Sequence, residues 1–80
     1  MKQRLLDRIE INPKVMVGKP VVKGTRIPVE LILRMLSQGI SEEEILEEYP
    51  HMTKEDILAA LAYAAEALGV EEVFPLAESK

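Results

Sequence analysis

The sequence predicts a small, mainly α-helical domain, a three-helix bundle in helix-turn-helix order behind a small N-terminal β element. Three observations lead to that class. Apolar residues recur at helical spacing in three separate stretches between Val29 and Leu68. Ser41 with Glu44, and Thr53 with Asp56, form S/T-x-x-E/D patterns that open the second and third stretches. Alternation of period two and β-branched runs are confined to residues 8–27.

The β element comes first. In "RIEI" (8–11), Arg8 and Glu10 alternate with Ile9 and Ile11, as in a half-buried strand. Asn12-Pro13 then turns the chain, because Asn favours turn starts and Pro fixes φ. "PVVKGTRI" (20–27) reads as a second short strand or extended arm. Two strands alone are marginal in water, so this arm (about 8–27) must pack on the helices or on a second copy of itself.

The first helix is predicted at about 28–38. Pro28 suits the first turn, where its missing N–H costs nothing, and Val29, Ile32, Leu33 and Leu36 form the apolar face. Gly39 follows as a stop. The second helix, about 42–49, opens on the Ser41–Glu44 capping box, and Glu42, Glu43 and Glu44 suit the positive end of its dipole. Ile45, Leu46 and Tyr49 are its apolar face, and Pro50 ends it. The third, about 54–68, opens at Thr53; Ile57, Leu58, Leu61, Ala64, Ala65 and Leu68 are its expected buried stripe, and Gly69 closes it. Residues 1–69 form the expected domain, and 70–80 an acidic tail holding the chain's single phenylalanine, Phe74.

A chain of 80 residues buries only about 60–65% of its unfolded surface, so oligomerisation is a natural supplement to its core. With 48% hydrophobic and 30% charged residues it is globular rather than disordered. It has no cysteine, which removes disulfides, thiolate metal sites and cysteine nucleophiles. No apolar run approaches the roughly 18–20 residues of a membrane helix, and the start has no signal-peptide core, so a cytoplasmic location is expected. The net charge of −4 divides unevenly: residues 1–40 carry eight Lys/Arg against three acids (+5), and residues 41–80 two lysines against eleven acids (−9). Binding follows local potential, so the basic half can meet phosphate and the acidic half cannot.

Catalysis finds little support. His51, the single histidine, sits in the turn between the second and third helices with no partner fixed by sequence. Glu42, Glu43, Glu44, Glu47 and Glu48 lie on one amphipathic helix, whereas hard cations need ligands converging from several elements. No metal or cofactor is expected. "GKPVVKGT" (18–25) lacks the order of a nucleotide-binding loop, because its glycine–lysine pair comes first and Pro20 removes a donor. For "GKPVVKGTRIPV" (18–29) two readings stand. Gly18, Gly24, Pro20 and Pro28 shape a turn and leave Lys19, Lys23 and Arg26 solvated, or those cations and Thr25 contact phosphates or base edges. The residues alone favour the first.

The stretch from "NPKVMVGKPVVKGTRIPV" through "SEEEILEEYP" to "DILAALAYA" closely resembles the prokaryotic domain-of-unknown-function 433 family, over about residues 8–66. Gly18, Lys19, Pro20, Gly24, Thr25 and Arg26 match its signature, as do Ser41, Glu43, Glu44, Ile45, Tyr49, Pro50, Asp56, Ala59, Ala60, Leu61 and Tyr63. The resemblance implies a homeodomain-like helix-turn-helix, often paired into a homodimer. It also implies an antitoxin of the VapB kind, which restrains a PIN-like ribonuclease and represses its own operon by binding promoter DNA.

On that footing, DNA contacts are expected from Lys19, Lys23, Thr25 and Arg26 of the arm, aided by Arg8, Lys14 and Arg34. Lys54 would contribute little, because the recognition position reads Thr53-Lys54-Glu55-Asp56 behind a glutamate-rich helix that repels phosphate. The nuclease would meet acidic residues (Glu42, Glu47, Glu48, Glu71, Glu72), with Val73, Phe74 and Leu76 as apolar anchors. Neutralisation is expected to be steric or allosteric, since the tail offers only Lys80 as a cation for a metal site. Phe74 folding back on its own domain or a twin subunit is the plainer alternative. A stand-alone DNA-binding regulator, or a protein-interaction module that no longer binds DNA, are the alternative functions.

Overall fold

A computed structural model describes residues 5–14 and 16–69. Two antiparallel strands, β1 (Ile9–Ile11) and β2 (Pro20–Val22), pair Ile9 with Val22, Glu10 with Val21 and Ile11 with Pro20. Three helices follow: α1 (Val29–Ser37), α2 (Glu42–Glu48) and α3 (Lys54–Ala67). The fold is thus mainly helical with a two-stranded antiparallel sheet near its N-terminus. The expected tail, 70–80, lies outside the described residues.

The helix boundaries follow from local chemistry, with one correction. Pro28 is not in the first turn of α1 but caps it, with ψ 148°. Its backbone still belongs to the β element, where it bridges Val21, and a residue held extended by that bridge cannot also be helical. At the other end Gly39 takes φ +88°. Its N–H bonds the Leu36 carbonyl at 3.0 Å, and the Ile40 N–H reaches back to Met35 at 3.1 Å, closing a Schellman motif. α2 ends one residue before Tyr49, whose extended φ of −125° suits a residue preceding proline. Both capping boxes are formed, Ser41 with Glu44 and Thr53 with Asp56.

The core lies where the sheet and the helices meet. Ile32, Ile45 and Ile57, one from each helix, are fully enclosed and join Val22, Val29, Met52 and Ala60. Met52 comes from the turn between α2 and α3, whose shape is set by its N–H bond to the Tyr49 carbonyl at 2.9 Å. So small a sheet survives because it is covered: Val21 and Val22 are both buried, and α1 and α3 pack against the strands.

The buried stripe of α3 differs from the expected one. Ile57, Ala59 and Ala60 face inward, while Leu58 and Leu61 are exposed and Leu68 is 80% exposed. The helix is apolar nearly all round, so periodicity alone did not select a face. Two alanines at 59 and 60 let α3 approach its neighbours closely, and Asp56, buried on the same helix, bonds Arg8 of the β element.

Candidate nucleic-acid interface

The signature "KGTRIP" (23–28) forms the tip of a tight hairpin. The Thr25 N–H bonds the Val22 carbonyl at 3.0 Å, making a four-residue turn with Gly24 at its third position. Gly24 has φ +82°, the value a type II turn demands there and one that costs glycine nothing. The Val22 N–H then bonds the Ile27 carbonyl at 2.9 Å, and Val21 bridges Pro28, so the chain returns alongside β2 before α1 begins. Thr25 holds this loop: its hydroxyl donates to the Val22 carbonyl at 2.8 Å and accepts from the Ile27 N–H at 3.0 Å. Its hydroxyl hydrogen is therefore committed to the hairpin. Lys23 and Arg26 stand exposed at the tip.

The strand register adds a third cation. Because Ile9 pairs with Val22, Arg8 lies opposite Lys23, and the Lys23 N–H bonds the Arg8 carbonyl at 2.7 Å. The Arg8 guanidinium reaches α3, donating through Nη1 to Asp56 Oδ1 at 3.1 Å. The second oxygen of Asp56 accepts the Thr53 N–H at 3.0 Å, and the Asp56 N–H bonds the Thr53 hydroxyl at 3.2 Å. This chain of bonds brings the hairpin tip and the first turn of α3, with exposed Lys54, to the same end of the molecule. Among the described residues, Lys23, Arg26 and Lys54 make no ion pair.

Lys19 is not part of that cluster. It precedes β2, about 13 Å from Lys23 at the rise of an extended strand. Its Nζ donates to Glu30 Oε2 of α1 at 2.9 Å, with both side chains about half exposed. That hydrogen bond, then the Lys19 charge, and more weakly Arg34 one turn along, hold the Glu30 carboxyl below its ordinary range. A carboxyl lowered in the folded state adds stability above its unfolded pKa and loses it as the pH falls through the folded value. A K19Q/E30Q double-mutant cycle by thermal unfolding should therefore show a small coupling at neutral pH. It should vanish in acid below the folded Glu30 value, and shrink in salt of about 1 M.

The remaining candidates separate. Lys14 and Arg34 are exposed, on the β1–β2 connection and on α1. His51 is exposed in the α2–α3 turn, and among the described residues no three His, Asp or Glu side chains gather as metal ligands would. Glu47 and Glu48 are exposed on α2, and Glu42 is half-buried. Glu71, Glu72, Val73, Phe74 and Leu76 lie outside the described residues. Among the described residues, no helix is long and apolar enough to cross a membrane.

Two features were not legible in the sequence. The Arg8–Asp56 pair joins residues 48 apart, and Asp56 reads in sequence only as a capping residue. An apolar groove of about 300 Å³ also opens between α1, α3 and the start of β2, lined by Pro20, Val29, Leu33, Tyr63, Ala64 and Leu68. Lys19 and Glu30 also line it.

Comparison with known proteins gives these residues a context. The family model described as "Protein of unknown function (DUF433)" matches residues 9–64. A crystal structure of a DUF433 member from Anabaena variabilis superposes with a TM-score of 0.75 at 36% identity, covering 84% of this chain and 66% of that one. An uncharacterized protein of Sinorhizobium fredii is 40% identical over 53 residues, 66% of this chain, and the chain spans only 24% of that relative's length. An uncharacterized protein of Archaeoglobus fulgidus is 57% identical over 30 residues, 38% of this chain and 83% of its own. The family match takes in both strands, the hairpin tip, α1, α2 and most of α3, and by it this chain belongs to the DUF433 family of proteins of unknown function.

Proposed function

We propose that this chain is an antitoxin-type regulator that binds nucleic-acid phosphate through its hairpin tip and restrains a PIN-like ribonuclease through a separate surface. The observation that supports the nucleic-acid half is the gathering of Lys23 and Arg26 on a rigid tip beside Arg8 and the first turn of α3. Exposed cations on a preorganised loop lose little entropy on meeting phosphate, and such contacts position a protein on a duplex. Glu55 and the capped Asp56 leave the first turn of α3 poorly suited to reading base edges. Contact is therefore expected chiefly with the backbone.

The test is binding of duplex DNA from the chain's own upstream region, by fluorescence anisotropy between about 50 and 200 mM salt. Removing both tip charges in a K23Q/R26Q variant should weaken binding. It should also reduce the log–log salt slope by about 1.8, the counterion release of two phosphate contacts. K19Q, whose lysine is paired with Glu30 and distant from the tip, should stay within about twofold of wild type. A wild-type chain that fails to bind at 50 mM salt sinks this half of the reading.

The protein-partner half draws on the groove between α1 and α3, an apolar surface apart from the basic tip. A complex with a nuclease should survive K23Q/R26Q and weaken when Leu33 or Tyr63 is replaced by a charged residue. If co-purification returns only the chain itself while DNA binding holds, the protein is a stand-alone regulator. Partner capture without DNA binding makes it an interaction module. The homodimer belongs to the same proposal, and sedimentation of the purified chain decides it.

A further inference from the structure

We infer that Arg8 is a third phosphate ligand of the hairpin interface, and that Asp56 is the residue that positions it. This rests on the nucleic-acid reading above and names what that site grips: backbone phosphate, independent of base sequence.

Arg8 keeps unused hydrogen-bonding capacity. A guanidinium carries five N–H donors in a planar fork. Arg8 spends one of them, Nη1, on Asp56 Oδ1 at 3.1 Å. Its side chain is 44% exposed against 11% for that of Asp56, so the pair is anchored on the carboxylate side and open on the guanidinium side. Arginine suits such a role because its remaining donors match phosphate oxygens two at a time.

Asp56 is the fixed post. Its carboxylate is held by the helix itself, accepting the Thr53 N–H through Oδ2 while Oδ1 receives Arg8. An arginine tethered to a rigid acceptor gives up less rotamer freedom when phosphate arrives than a free one does. The backbone of Arg8 is in turn tied to the hairpin tip, where its carbonyl accepts the Lys23 N–H at 2.7 Å. Arg8 and the tip cations Lys23 and Arg26 thus stand on neighbouring, hydrogen-bonded segments, with the guanidinium of Arg8 held by its own carboxylate. The carboxylate offsets part of the Arg8 charge, so the gain lies in placement rather than in net potential.

The test compares wild type, R8Q, R8K and K23Q/R26Q on two duplexes of unrelated sequence, across a salt series, at a temperature where circular dichroism shows each variant folded. We expect R8Q to lower the salt slope by about 0.9, one phosphate, as a loss separate from that of K23Q/R26Q. R8K keeps the charge but not the fork, so it should keep the slope and bind several-fold more weakly. The two duplexes should bind within about threefold of each other. A folded R8Q with the wild-type slope, while K23Q/R26Q lowers it, overturns the inference and leaves Arg8 as a structural latch only. A wild-type chain that binds neither duplex defeats the inference together with the nucleic-acid reading. Should R8Q not fold, the Arg8 Nε–H resonance of the wild-type chain, followed during titration with a duplex, decides instead. A shift on binding is expected, and an unmoved signal rules Arg8 out.

Discussion

Ile57→Ala is expected to destabilise the domain by about 3–5 kcal/mol, the upper part of the range for truncating a buried isoleucine. Ile57 is fully enclosed on α3, the helix that packs against α1, α2 and β1 together, so the cavity would open where all these elements meet. A chain of this length has a total stability of only about 4–12 kcal/mol, and the loss would leave much of the population unfolded near 37 °C. The neighbouring Leu58→Ala should cost less than about 1 kcal/mol, since Leu58 is 38% exposed. Urea unfolding of the pair checks the result. Similar losses for both would mean that α3 does not turn Ile57 to the core and Leu58 outward.

Asp56→Ala should cost about 2–3 kcal/mol, more than the roughly 1 kcal/mol expected for Thr53→Ala. The difference arises because one carboxylate serves two elements. It caps α3 through the Thr53 N–H and holds Arg8 of the β element, and it is nearly buried while doing both. Alanine leaves the Thr53 N–H without its partner and frees the ribbon from α3. Asp56→Asn keeps an acceptor for the cap but not the charge opposite Arg8, so its loss should fall between those of the other two variants. Thermal unfolding of the three ranks them. Equal losses for Asp56→Ala and Thr53→Ala would show that the Arg8 contact contributes nothing to stability.

Both predictions turn on α3, where chain pattern and packing part company. Its start was legible because capping is local: Thr53 and Asp56 are three residues apart and satisfy each other's backbone donors whatever surrounds them. The same holds for the Ser41–Glu44 box of α2 and for Gly39, whose positive φ ends α1. The face that α3 buries was not legible. Ile57, Leu58, Ala60, Leu61, Ala64 and Leu68 offer two apolar stripes, and a hydrophobic period cannot choose between stripes of similar character.

The candidate site divides along the same line. The exposed cations Lys23 and Arg26 and the glycine that shapes their turn are visible in the chain, because a type II turn needs positive φ at one position and Gly24 supplies it. Grouping Lys19 with them rested on sequence proximity, and an extended strand carries neighbours apart at about 3.3 Å per residue. Lys19 consequently faces Glu30 of α1 instead. Local order, namely which segments form helices, where they are capped and where the hairpin turns, was written in residues that interact within five positions of each other. The rotation of α3, the Arg8–Asp56 tie and the groove between α1 and α3 depend on contacts between distant segments. Only the folded chain settles those, because which surfaces meet is decided by the packing of the whole core and not by any one of its parts.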